Sequence, residues 1–94
     1  MNIRRVVLDV GKALSRPTFV ELIHSIEIVP GVEAVNANVT EMDMETMGIS
    51  ITVEGNNIDY EELVDSIEKT GSVVHSVDQI AAGKRLIENI RGNT

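Results

Sequence analysis

Three carboxylates stand at alternate positions in one short stretch, Glu41, Asp43 and Glu45. In an extended chain alternate side chains share a side, so this stretch can gather oxygen ligands for a hard cation. Calcium takes about 6–8 oxygens and tolerates an irregular shell, whereas magnesium demands a near-ideal octahedron. Asp43 and Glu45 fill only part of such a shell, and water or a second subunit must complete it. A second candidate pair is Asp9, near the end of the first extended run, and Asp78, after the last. The expected metal ligands are therefore Asp43 and Glu45, ahead of Asp9 and Asp78, with Ca2+ as the ion. The alternative for any acidic turn is a solvated tip that binds nothing. The two histidines, His24 and His75, have no motif partner for nucleophilic catalysis. A hidden enzyme built on His75 and Asp78 would have no substrate that the sequence identifies. Phosphate-loop and dinucleotide glycine motifs are absent. The expectation is a protein that is not an enzyme and takes no organic cofactor.

Composition narrows the partners. The 94 residues suffice for one domain, and 43% of them are hydrophobic, so a packed core is expected. One Phe, one Tyr and no Trp make that core aliphatic and leave few platforms on which nucleic-acid bases could stack. Fifteen acidic residues against eight basic ones give a net charge of -7, which repels phosphate backbones. Nucleic acid is not an expected partner. With no cysteine, disulfides and thiolate metal sites are excluded. No apolar run reaches membrane-spanning length, and the N-terminus lacks a signal-peptide core. The expected setting is the cytoplasm, away from membranes.

The elements that would position these residues are written twice. Phe19-Val20-Glu21-Leu22-Ile23-His24-Ser25-Ile26-Glu27 returns as Tyr60-Glu61-Glu62-Leu63-Val64-Asp65-Ser66-Ile67-Glu68. Each copy has helical periodicity and is followed by a Gly and a Val-rich run. One supersecondary unit used twice in so short a chain points to the split βαβ, ferredoxin-like arrangement. Ile3 to Val10 reads as the first strand and Gly11 to Pro17 as a loop. Ser15 is the expected cap of the first helix, with Pro17 in its first turn. Phe19, Leu22, Ile23 and Ile26 form its buried stripe. Val32 to Met42 and Gly48 to Glu54 form a hairpin. Asp59 caps the second helix, with Glu62 three residues on in a capping-box pattern. Tyr60, Leu63, Val64 and Ile67 are its stripe, and Ser72 to Val77 is the last strand.

The expected fold is thus α+β, a ferredoxin-like βαββαβ sandwich. Right-handed crossovers place both helices on one face of an antiparallel sheet ordered 4-1-3-2. The domain would span residues 1–78. Residues 79–94 form a C-terminal extension that docks on the body or on a neighbouring subunit. There Ile80-Ala81-Ala82 fits either a strand continuation or a helical turn, and Leu86, Ile87 and Ile90 fit a short amphipathic helix. The outer sheet face should carry Val7, Asp9, Asn36, Asn38, Thr40, Ser50, Thr52 and Glu54. It is polar but largely uncharged, a composition suited to meeting another surface.

Two resemblances bear on function. The corner Pro30-Gly31-Val32-Glu33-Ala34-Val35 is similar to that of heavy-metal-associated domains and of amino-acid-binding regulatory domains. The former need cysteines after the first strand, where this chain has Gly11-Lys12-Ala13. The latter motivate an alternative function, a small-molecule-sensing regulatory domain. A wider resemblance rests on four stretches: Arg4 to Val10, Glu41 to Thr46, Glu54 to Glu61, and Val74 to Gln79 leading to Ala82-Gly83-Lys84. From about residue 3 to 88 the chain resembles archaeal domain-of-unknown-function family 211. That resemblance implies a ferredoxin-like, cytoplasmic archaeal homo-oligomer without assigned enzymatic activity, and an association with calcium whose ligands no motif places. The leading expectation is a non-enzymatic homo-oligomer binding divalent cations through surface carboxylates.

Overall fold

The computed structural model describes residues 1–88. Six elements follow in the order β1 (Ile3–Ala13), α1 (Phe19–Glu27), β2 (Val32–Met42), β3 (Thr46–Gly55), α2 (Tyr60–Lys69) and β4 (Val73–Ala82). The sheet is antiparallel, ordered β2-β3-β1-β4, the expected arrangement read from its other edge. The fold is a ferredoxin-like α+β sandwich. No helix among the described residues is long and apolar enough to cross a membrane.

The core lies between the helices and one sheet face. Val6, Leu8 and Val10 of β1 alternate inward beside Ile49, Ile51 and Val53 of β3, all fully buried. Leu22 and Ile26 of α1, and Leu63 and Ile67 of α2, close over them and are also fully buried. Leu22 and Leu63 are the matching positions of the sequence repeat, so the repeat encodes two equivalent helix–sheet contacts. Phe19 and Tyr60, the aromatics that open the two copies, pack at the margin of this core.

Several boundaries differ from expectation. β1 continues through Gly11-Lys12-Ala13 because β3 offers it partners as far as Thr46: Gly11 faces Gly48, Lys12 faces Met47, and Ala13 faces Thr46. A ladder with partners on offer extends into residues that read locally as loop. Thr18, not Ser15, caps α1. The Thr18 hydroxyl accepts from the Glu21 N–H at 3.1 Å, and the Glu21 carboxylate accepts from the Thr18 N–H at 2.9 Å. Pro17 therefore precedes the cap instead of entering the first turn. At α2 the Asp59 carboxylate accepts from the Glu62 N–H at 3.1 Å. The reciprocal capping box thus forms at α1, while α2 has the cap alone.

β4 runs on to Ala82, and its residue Ile80 faces Val6 across the ladder. Ile80-Ala81-Ala82 is a strand continuation, so the fourth strand crosses the boundary drawn at residue 78. Residues 83–88 hold no helix; Leu86 is partly covered and Ile87 exposed, while Ile90 lies outside the described residues. At the other end of the chain's turns, Gly31 has φ of 90°, and its carbonyl accepts from the Asn56 N–H at 2.9 Å. A Cβ on Gly55 would collide with that same carbonyl. This close pass of backbone on backbone ties the α1–β2 corner to the end of β3, and it requires glycine at both positions.

Candidate functional site

The register assembles the outer face in rows across the strands. Val7 lies between Gln79 and Thr52, and Thr52 in turn faces Asn36. Asp9 lies between Ser76 and Ser50, and Ser50 faces Asn38. The next row is Val73, Gly11, Gly48 and Glu41. The expected outer-face residues therefore do share one face, and their rows follow from the ladder, not from spacing along the chain.

The row with two glycines makes a hollow. Without side chains at Gly11 and Gly48, a groove of about 480 Å³ opens there, toward the β2–β3 hairpin. Its lining includes Asp9, Thr40, Glu41, Asp43, Val73 and His75. The His75 ring lies over Gly11, where any added Cβ would strike its Nε2. On the opposite side, a Cβ on Gly48 would sit 3.3 Å from the Thr40 hydroxyl and 3.7 Å from the Glu41 carboxylate. Irregularities in pairing aim these walls. The β1–β4 ladder shifts between Asp9 and Val10, and the β2–β3 ladder shifts between Val39 and Glu41. A shift of one residue turns side chains out of strict alternation. Thr40 reaches the groove from the outer face that alternation assigns it, and Thr40 and His75 each sit at one of these shifts.

The expected metal ligands are distributed over this region. Asp43 and Glu45 are exposed at the hairpin tip. Asp43 serves the turn itself: its carboxylate accepts from the Met44 N–H at 3.0 Å, and its own N–H donates to the Thr46 carbonyl at 2.8 Å. The Glu45 carbonyl receives the Leu14 N–H at 3.0 Å, tying the tip to the end of β1. Asp9 lies in the sheet beside Ser76, whose hydroxyl donates to Asp78 at 2.8 Å. Asp9 and Asp43 both border the groove, whereas Glu45 and Asp78 do not. Among the described residues, no three Asp, Glu or His side chains come close enough to hold one metal ion. His24 is exposed on α1, with Nδ1 3.9 Å from Glu27.

Lys12 escaped the sequence reading, which placed it in a loop. It is 4% exposed, and its ammonium donates to the carbonyls of Ala13 at 2.6 Å and Leu14 at 3.3 Å. Burial of an ammonium demands such partners; here they are the carbonyls at the end of the lengthened β1.

The opposite end of the outer face is occupied by charge pairing. Arg5 meets Glu54 at 2.6 Å and Glu88 at 3.0 Å. The bonds to Glu88 and Glu54 hold the guanidinium pKa even higher than usual, and the bonds from Arg5 hold the Glu88 carboxyl below the usual carboxylate range. Arg4 donates to the Lys84 carbonyl at 2.6 Å. The segment after β4 is thus strapped to the sheet, away from the groove.

The family model for the domain of unknown function described as uncharacterized ArCR, family 211, matches residues 4–94. The chain is also 38% identical over 90 residues to a protein of the archaeon Methanocaldococcus jannaschii named uncharacterized protein MJ0319, covering 96% of this chain and 92% of that one. With a match over nearly its full length and a relative this similar, the chain belongs to domain-of-unknown-function family 211.

Proposed function

We propose that the protein is a cytoplasmic, non-enzymatic homo-oligomer whose assembly binds divalent cations, calcium foremost, through carboxylates contributed by more than one copy. The observation that supports this reading is the pair of long open edges. β2 and β4 flank the sheet over 11 and 10 residues, and among the described residues each has strand partners on one side only. Such edges template pairing with another chain unless they are shielded. Because β2 and β4 run in opposite directions, β2 of one copy can pair antiparallel with β4 of the next. That contact is heterologous and closes into a ring when the rotation permits. Val77 and Ile80 on the β4 edge, 37% and 48% exposed, supply apolar area to such a junction.

The same pairing brings the hairpin tip of one copy toward the β4 start of its neighbour. Asp43 and Glu45, ahead of Asp9 and Asp78, then act beside a second set of oxygens, as a calcium shell requires. Binding and assembly are coupled reciprocally: metal favours the larger species, and assembly tightens metal binding. The test is sedimentation at micromolar protein with and without millimolar calcium. A larger mass with calcium, reduced in Asp43→Asn, supports the proposal. A monomer under both conditions, with an unchanged melting temperature, overturns it.

A further inference from the structure

The groove over Gly11 and Gly48 displays polar groups with unspent bonding capacity. Among the described residues, the side chains of Asp9, Thr40, Glu41, Thr46 and His75 make no hydrogen bond or ion pair within the chain. All five line the groove. Some polar groups on the same face are used internally. Arg5, Glu54 and Glu88 satisfy one another, Ser76 serves Asp78, and Asn38 serves Asn36. In the groove, five such side chains face one shared space.

The kind of ligand follows from charge and layout. The acceptors are in excess: Asp9, Glu41 and Asp43 are anionic, and the nearest ammonium, Lys12, is engaged by the carbonyls of Ala13 and Leu14. A donor-rich cation complements this lining, and an anion does not. The acids are also spread out. Glu41 rises from β2 and Asp9 from β1, with β3 between them, two strand spacings or roughly 10 Å apart along the sheet. No three of these groups can share one metal ion within a single chain. A flexible cation with charge at both ends spans them instead. Its alkyl body would lie over Gly48, beside the His75 ring that covers Gly11, with Ala13 and Val73 along it.

We propose that this groove is a binding site for small aliphatic diamines or amino-guanidines, one cationic head on Glu41 and the other on Asp9, with Thr40 and His75 flanking the heads. The site is complete within one copy of the chain and does not depend on the assembly proposed above. Glycine at position 48 is then a matter of ligand space. A Cβ there meets the Thr40 hydroxyl at 3.3 Å and the Glu41 Cβ at 3.5 Å, contacts that small side-chain shifts relieve. The fold tolerates Gly48→Ala, whereas the ligand loses its floor.

The experiment is calorimetric titration of putrescine into the full chain at fixed ionic strength. EDTA is present throughout, so the outcome is independent of the divalent-cation reading. Amide chemical shifts are followed in parallel. Putrescine should bind with submillimolar affinity and shift the amides of Gly11, Gly48 and His75. Succinate, a dianion of similar length, should not bind. Glu41→Gln and Asp9→Asn should each weaken putrescine binding at least about tenfold, as loss of a charge-assisted hydrogen bond does. Gly48→Ala should weaken it similarly with an unchanged melting temperature; should that variant fail to fold, Glu41→Gln, which alters no shape, carries the test. Succinate binding as well as putrescine, or undiminished putrescine binding in Glu41→Gln, overturns the proposal. So do amide shifts confined to α2.

Discussion

Truncating the two repeat-related leucines measures directly whether the duplicated sequence is a duplicated contact. Leu22 and Leu63 are both fully buried, each at the centre of a helix face that covers the sheet. Leu→Ala removes three carbons, and at ~0.8 kcal/mol per buried CH2 the transfer loss alone is about 2.4 kcal/mol. A cavity left in the buried cluster adds to this, within the roughly 2–5 kcal/mol seen for buried leucines. The expected cost is about 3 kcal/mol at either site, or a melting point lower by roughly 12–24 °C for a domain of this size. Urea denaturation at one fixed protein concentration is the assay, since any association would otherwise shift the midpoint. Val20, 73% exposed on α1, is the control, and its change to Ala should stay within about 0.5 kcal/mol. A loss below about 1 kcal/mol at Leu22 or Leu63 would refute the equivalence of the two helices, because no fully buried leucine in a closed core is that dispensable.

Other outcomes follow from local geometry. Thr18→Ala should cost about 1 kcal/mol through loss of the helix cap, while Ser15→Ala should cost nothing measurable by the same denaturation. Gly55→Ala should prevent folding, because its Cβ would collide with the Gly31 carbonyl, a backbone atom that cannot step aside; loss of dispersed amide resonances would show it. The Glu88 carboxyl has a lowered folded-state pKa through its bonds from Arg5, so the strap it forms is present above the ordinary carboxylate pKa and is lost as pH falls through the folded value. Protection of the amides in residues 83–88, taken relative to the intrinsic exchange rate at each pH, should therefore fall on acidification below the usual carboxylate range, and Glu88→Gln should show the low protection at neutral pH as well. If protection there is the same at all these pH values, Arg5 does not hold the segment. Leu86→Glu should lower the assembly state in sedimentation, since it puts a charge at a partly covered apolar position in the segment that follows β4.

The element order and the core were legible because both are local patterns. A helical stripe such as Tyr60, Leu63, Val64 and Ile67, or the alternation Ile49, Ile51, Val53, records which side of an element is buried, and the repeat showed that one unit was used twice. The cap at Asp59 was readable for the same reason, being a property of a few adjacent residues. The outer face was also readable as a set, since period-two alternation assigns Asp9, Asn38 and Ser50 to it without knowing their neighbours.

What joins residues across the sheet was not in the sequence to be read. Gly11 and Gly48 are 37 positions apart, and only the β1–β3 register sets them side by side to open the groove. The pairing shifts in β2 and β4, at Thr40 and His75, depend on how each strand fits its partner. So does the length of β1: Gly11, Lys12 and Ala13 look like a loop until β3 supplies partners for them, and Lys12 is buried as a result. Side-chain periodicity decides which face of an element is covered, because burial acts on each residue by itself. Register and bulges are decided by the joint energy of two strands far apart in the chain, and that quantity exists only once they meet.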